Sequence, residues 1–164
     1  MITAAIVTVS DSAVAGTRED RSGPALRERV AALGWTVVAQ EVVADEAEQI
    51  AALLRRLVDS GGASVILTTG GTGVALRDVT PEATRAVIER EIPGLSEVMR
   101  SEGLKKTPFA ALSRGLAGTR GKSLIVNLPG SPKGAVESFE AAAKLIPHIV
   151  DLLEGRTGHG DVPN

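Results

Sequence analysis

Four short apolar runs limit what this chain can fold into: AAIVTV at 4–9, WTVVAQEVV at 35–43, SVILTT at 64–69 and SLIVNL at 123–128. Each is too short for a core helix, is rich in β-branched residues and is bounded by polar or glycine residues, so each reads as a strand. The near-continuous apolarity of 4–9 and 64–69 marks strands covered on both faces, as in parallel sheets. Between the first two runs, PALRERVAAL (24–33) places Leu26, Val30 and Leu33 on one helical side, with Gly34 as a stop. From Asp45 onward, Ile50, Leu53, Leu54, Leu57 and Val58 form an apolar helical face, and Asp45 and Glu48 have capping-box spacing. Strand, helix, strand, helix, strand, joined by right-handed crossovers, predicts an α/β fold: a three-layer α/β/α sandwich around a mostly parallel sheet.

The second half continues in the same style. Thr80 suits an N-cap and Pro81 a first helical position, which predicts a helix to about Glu91, before Pro93. Another helix runs from Leu95 to before Pro108, while 109–121 has no clear periodicity. After Pro129-Gly130-Ser131-Pro132, helical spacing links Val136, Phe139, Ala143, Ile146, Val150 and Leu153, with a bend at Pro147. One domain over 1–155, with a loose tail over 156–164, is the expected organisation.

Composition removes several functions. One Trp, two Phe and no Tyr leave a core of Val, Ile, Leu and Ala, with little to stack on bases. A net charge of -2 without a dense basic run lacks the footprint of a nucleic-acid binder. The absence of Cys excludes disulfides, thiolate catalysis and thiolate metal sites. No apolar run reaches membrane-spanning length, and MITAAIVTVSDS reads as a buried strand, not a signal peptide, so the cytoplasm is the expected location.

Ligands in parallel sheets gather beyond the carboxyl ends of the strands, and three polar segments fall there. They are Ser10-Asp11-Ser12, Thr69-Gly70-Gly71-Thr72-Gly73 and Asn127-Leu128-Pro129-Gly130-Ser131. Glycines allow close backbone approach, successive N–H groups can cradle a phosphate, and Thr69, Thr72 and Ser131 add hydroxyls. Arg18, Arg21, Arg77, Lys122 and Lys133 lie in or beside these segments and offer charge-assisted bonds, Arg77 foremost. Asp78 either bonds within its turn or bridges phosphates through Mg²⁺; Asp45 either caps its helix or projects to the same side. Asp11 either caps a local turn or faces the pocket. His148 and His159 form no relay, and no serine sits in a GxSxG elbow, which favours phosphate positioning over a serine nucleophile.

The segments TTGGTG, RDVTPEAT and NLPGSPKG, supported by PGLSEVMR and TPFAALSR, resemble the molybdopterin adenylyltransferase family of molybdenum-cofactor synthesis. The likeness runs from ITAAIVTVSDS through the last helix. It implies a molybdopterin-binding-like fold, a homotrimer, and transfer of AMP from Mg-ATP to the terminal phosphate of molybdopterin with release of pyrophosphate. Contact with the upstream and downstream cofactor enzymes belongs to the same implication. On this chain the resemblance makes Asp78 and Asp45 the catalytic and metal-binding pair. Gly70 to Gly73 then bind nucleotide, and Ser10 to Ser12 with Asn127 to Ser131 form pocket walls. Val74-Ala75-Leu76 departs from the polar or proline-containing versions of some relatives, which predicts altered loop packing with Arg77 and Asp78 kept. A non-catalytic molybdopterin-binding homologue and a nucleotide-binding scaffold stay open as alternatives.

Overall fold

The computed structural model describes residues 1–157. Six strands form one sheet: β1 (Thr3–Val9), β2 (Thr36–Val43), β3 (Val65–Thr69), β4 (Arg90–Glu91), β5 (Ala117–Arg120) and β6 (Ser123–Leu128). Their order is β2-β1-β3-β6-β5-β4. The first four neighbours pair in parallel, and β5 and β4 extend the sheet antiparallel. Among the described residues, seven helices accompany them: α1 (Asp11–Ala15), α2 (Ser22–Ala32), α3 (Ala47–Asp59), α4 (Thr80–Arg85), α5 (Pro93–Leu104), α6 (Pro132–Ala143) and α7 (Ile146–Leu153). The expected tail lies, from residue 158 on, outside the described residues.

Strand alternation divides the core in two. Ala4 and Ile6 of β1 join Val65 and Leu67 of β3 and Leu124, Val126 and Leu128 of β6 on one face. Leu26 and Val30 of α2, Leu95 and Met99 of α5, Phe139 of α6 and Val150 of α7 cover that face. Ala5, Val7 and Val9, with Ile66 and Ile125, face the other way beneath Ile50, Leu54, Leu57 and Val58 of α3 and Ala83 of α4. The three layers expected from the sequence are therefore present, with both faces of the central strands dry. Trp35 meets Phe139 edge to face at 5.6 Å, which closes one end of the first core.

Several local expectations fail for identifiable reasons. Asp45 does not cap α3, which starts two residues later after Glu46 without a side-chain cap, because the Asp45 carboxylate accepts from the Asp11 N–H instead. Thr80 is the first residue of α4, not its cap; its hydroxyl donates to the Gly70 carbonyl at 2.9 Å. α4 ends at Arg85, well short of Glu91, because the following chain is claimed by the sheet: Glu89 N–H donates to Thr119 O and Ile92 N–H to Ala117 O. The break between α6 and α7 falls at Lys144-Leu145, with Pro147 in the first turn of α7.

β5 had no strand signature because it carries Gly118 near its centre. A Cβ there would lie 2.6 Å from the Arg90 carbonyl and 2.6 Å from an Ile88 methyl, so the close pairing with β4 requires glycine.

Candidate functional site

Since β1, β2, β3 and β6 are parallel, their carboxyl ends open on one edge. The chain leaves β1 for β2 on one side and reaches β3 on the other, so a crevice forms where the connections diverge. The three polar segments meet there. Gly70 N–H donates to Leu128 O at 3.1 Å, and Thr69 Oγ1 donates to Pro129 O at 2.6 Å. A Cβ on Gly130 would come within 3.3 Å of Gly70 Cα, and one on Gly70 would strike the Val9 carbonyl. The glycine turn thus lies wedged between the ends of β1 and β6.

The resulting cleft has two lobes. The larger, about 770 Å³, runs from Gly71, Thr72, Gly73 and Asp78 towards Lys106, Phe109 and Lys144. The smaller, about 460 Å³, runs from the same turn towards Ser10, Asp20, Arg18 and Arg21. Gly71, Asp78, Gly130 and Ser131 border both. Each volume is in the range of small-molecule sites. Ser131 caps α6 by accepting from Gly134 N–H at 3.1 Å, which leaves its own hydroxyl proton to donate at the lobe boundary.

Two carboxylates reach this boundary, Asp45 from just beyond β2 and Asp78 from late in the β3–α4 connection. Asp45 and Asp11 are interlocked: Asp11 N–H donates to Asp45 Oδ2, and Asp45 N–H to Asp11 Oδ1, both at 2.9 Å. Asp45 Oδ1 is turned to Gly71, where an added Cβ would lie 3.2 Å away. Burial pushes the Asp45 carboxyl above its ordinary value, and the charges of Asp11 and Asp78 add to that rise. The Asp11 N–H and the Arg77 charge work against it. Asp78 Oδ2 accepts from Ala75 N–H at 3.0 Å within its own turn.

Arg77 is placed differently from its expected role. Nε and Nη2 each donate to the Asp11 carboxylate at 3.0 Å, and Nη2 also lies 3.0 Å from Glu46. The Asp45 N–H, first, and Arg77 then hold Asp11 below the usual carboxylate range. Arg77 is therefore a neutralised strut behind Asp45, and neither it nor Asp11 nor Ser12 lines a lobe. Asn127 is also occupied elsewhere. Its amide donates to Thr68 and Thr84 and accepts from Leu116 N–H in the core, so it ties β6 to β3 and α4. Thr69 lines the smaller lobe, yet its hydroxyl proton is spent on Pro129. Lys133 points outward beside Glu137, and Lys122, in the turn before β6, sits at the opposite end of the sheet.

Of the residues named from sequence, the cleft gathers Ser10, Arg18, Arg21, Asp45, Thr69, Gly70, Gly71, Thr72, Gly73, Asp78, Pro129, Gly130 and Ser131. It also brings in residues that linear spacing did not mark. Asp20 accepts from Thr8 Oγ1 at 2.8 Å and Gly23 N–H at 3.0 Å on the smaller lobe's wall, while Lys144 and Lys106, the latter 3.3 Å from Glu137, line the larger lobe in place of Lys133. Arg114 grips the glycine turn and α4. It closes the TPFAALSR segment, the only signal in the sequence that could have pointed to it.

Fold and cleft together define a class: a three-layer α/β domain whose two-lobed small-molecule site lies at the carboxyl edge of a parallel sheet, with glycine turns and two carboxylates at its centre. The model of the probable molybdopterin binding domain matches residues 5–148. The chain belongs to this family. It is 45 % identical over 152 residues to the molybdopterin adenylyltransferase of Helicobacter pylori J99, covering 92 % of this chain and 86 % of that one. The molybdopterin adenylyltransferase of Escherichia coli K12 is 40 % identical, with coverage of 92 % and 84 %. The Drosophila melanogaster molybdenum cofactor synthesis protein cinnamon is 46 % identical, but this chain spans only 26 % of its length. Among solved structures, the molybdopterin biosynthesis enzyme MoaB of Thermus thermophilus superposes with a TM-score of 0.89 at 53 % identity, covering 94 % of this chain and 98 % of that one.

Proposed function

We propose that this protein is a molybdopterin adenylyltransferase, which transfers AMP from ATP to the terminal phosphate of molybdopterin and releases pyrophosphate. One observation carries the reading: two lobes, each large enough for a small molecule, share a border at Gly71, Asp78, Gly130 and Ser131. A transfer between two bound molecules needs such a border, because their reacting atoms must be held about 3–3.5 Å apart. A phosphate oxygen of the pterin forms the new bond to the α-phosphorus of ATP. The bond from that phosphorus to the bridging oxygen breaks, and pyrophosphate leaves with the electron pair. A phosphate oxygen is already anionic, so no protein nucleophile or strong base is required.

The donor set suits Mg²⁺. Among the described residues no three His, Cys, Asp or Glu form a metal cluster, but Mg²⁺ is held by one or two carboxylates plus substrate phosphates. Asp45 and Asp78 provide such a pair; burial first, and then the charges of Asp11 and Asp78, raise the Asp45 carboxyl, and a bound cation would offset that. When bound, the ion supplies positive charge between these carboxylates and the phosphates. The chain's own groups hold the reactants: backbone N–H groups of the glycine turn, the Ser131 hydroxyl, and Lys106 and Lys144 along the larger lobe. A homotrimer in the cytoplasm, exchanging the pterin with the neighbouring enzymes of cofactor synthesis, completes the proposal; sedimentation as a stable monomer would remove the trimer from it.

The test incubates pure protein with molybdopterin, Mg²⁺ and α-labelled ATP and follows label into the pterin. Transfer by the wild-type protein, nearly abolished in Asp78→Ala with fold and substrate binding retained, is the expected result. Normal turnover by Asp78→Ala removes the residue from the mechanism, and no transfer by the wild type leaves only a binding protein.

A further inference from the structure

Asp78 sits at the end of a loop held by polar contacts and not by burial. Residues 73–79 contain no helix or strand, and the tip is apolar yet solvent-facing, with Val74 68 % and Leu76 100 % exposed. Burial therefore contributes nothing at the tip. Two internal bonds close the turn, Asp78 N–H to Ala75 O and Ala75 N–H to Asp78 Oδ2, each at 3.0 Å. Those bonds shape the turn, and from within the loop Arg77 reaches out to Asp11 and Glu46.

Arg114 attaches the two ends of the loop from outside it. It arrives from the segment after the 3-10 turn at Pro108–Leu112, a part of the chain remote from the loop in sequence. Its backbone N–H donates to Thr72 O at 2.8 Å, just before the loop. Its guanidinium donates from Nε to Gly73 O at 2.7 Å and from Nη2 to Asp78 O at 2.8 Å, the loop's two ends. Nη1 and Nη2 also meet the Glu82 carboxylate in the first turn of α4. The hydrogen bond from Arg114 is the foremost reason that Glu82 is held below the ordinary glutamate value. With its charge balanced by Glu82 and its donors directed to the loop, the guanidinium has little left to offer a phosphate.

We propose that Arg114 is a positioning residue for Asp78: its planar fork joins both ends of the 73–78 loop to α4 and sets the Asp78 carboxylate before substrates arrive. The catalytic consequence rests on the adenylyl-transfer reading above; the loop attachment does not. Lysine is a poor substitute, because one ammonium on a flexible stem cannot reach Gly73 O, Asp78 O and Glu82 together. A displacement of about 1 Å in a positioned group costs on the order of 10²-fold in rate.

Arg114→Gln and Arg114→Lys test this, with hydrogen exchange on the ligand-free protein and label transfer on the complete reaction. Arg114 is partly exposed, with its side chain at 37 %, so both variants should fold, and their urea midpoints check that. The Ala75 and Asp78 amides should exchange at least about tenfold faster in Arg114→Gln, through local opening. In both variants kcat should fall about 10²-fold while KM for ATP and for the pterin changes less than about threefold. Half-maximal activity should also require more Mg²⁺. Unchanged exchange at 75 and 78 overturns the attachment. A kcat near wild type, or a loss confined to KM, overturns the positioning role. If the wild type transfers no label, adenylyl transfer fails as a reading, and exchange alone still decides whether Arg114 holds the loop.

Discussion

Replacing Gly71 by alanine tests how the glycine turn is built. Gly71 has φ +68°, a left-handed conformation that costs a non-glycine residue about 1–2 kcal/mol. Its missing Cβ points at the Thr80 hydroxyl, and the added methyl would collide with it. That hydroxyl, fully buried, donates to the Gly70 carbonyl at 2.9 Å; displacing it leaves a buried acceptor unpaired, at about 1–3 kcal/mol. Gly71→Ala should therefore destabilise by about 2–5 kcal/mol, read as a lower urea midpoint at unchanged slope. Thr80→Ala loses the same hydrogen bond and should cost about 1–3 kcal/mol. In the double variant the hydroxyl is already gone, so the backbone strain, with a close approach to Asp45 Oδ1 at 3.2 Å, is what adds to the loss from Thr80→Ala. The pair should then fall short of additivity by about 1–3 kcal/mol. Additivity within about 0.5 kcal/mol, or a Gly71→Ala cost below about 1 kcal/mol, would refute this account of the turn.

Two further outcomes follow from the acidic pair. Asp45 has a folded-state pKa above its unfolded value, so its ionisation opposes folding once pH rises past the ordinary aspartate range. Asp45→Asn should consequently be as stable as the wild type or more so at neutral pH in urea titrations, with that advantage vanishing below about pH 4. The same variant should lose on the order of 10²-fold or more in label transfer; a destabilised variant with full activity would contradict both statements. Removing Arg77 takes away a charge that holds Asp45 down, so Arg77→Ala should move the acid limb of the pH–rate profile to higher pH. A limb that stays in place, with KM for ATP raised instead, would make Arg77 a substrate contact after all.

Order and type of the main elements were legible in the sequence because they depend on local patterns. The apolar runs of β1, β3 and β6 and the stripe of α3 record their own burial, and the crossover rule arranges them. The glycine turn and the compact turn at 129–132 into α6 were likewise legible, since both are made by neighbouring residues. From the parallel direction of the strands it also followed that the polar segments would share one edge. The family motifs extended that to a candidate substrate class.

Polar side chains were assigned by folding alone. Asp45 has the spacing of a helix cap and Thr80 the chemistry of one, yet Asp45 is taken by Asp11 from another loop and Thr80 by Gly70 at the far end of its own connection. Arg77 and Asn127 look like ligand contacts in one dimension; in three, Asp11 with Glu46, and Thr68 with Thr84, have already engaged them. Arg114 lies 36 residues from Asp78 and meets it only because β5, antiparallel to β6, begins at the edge where β6 ends. The physical reason is one of range. Apolar periodicity is set by neighbours three or four positions away, whereas a hydrogen-bond donor takes whichever acceptor the tertiary structure brings within about 3 Å.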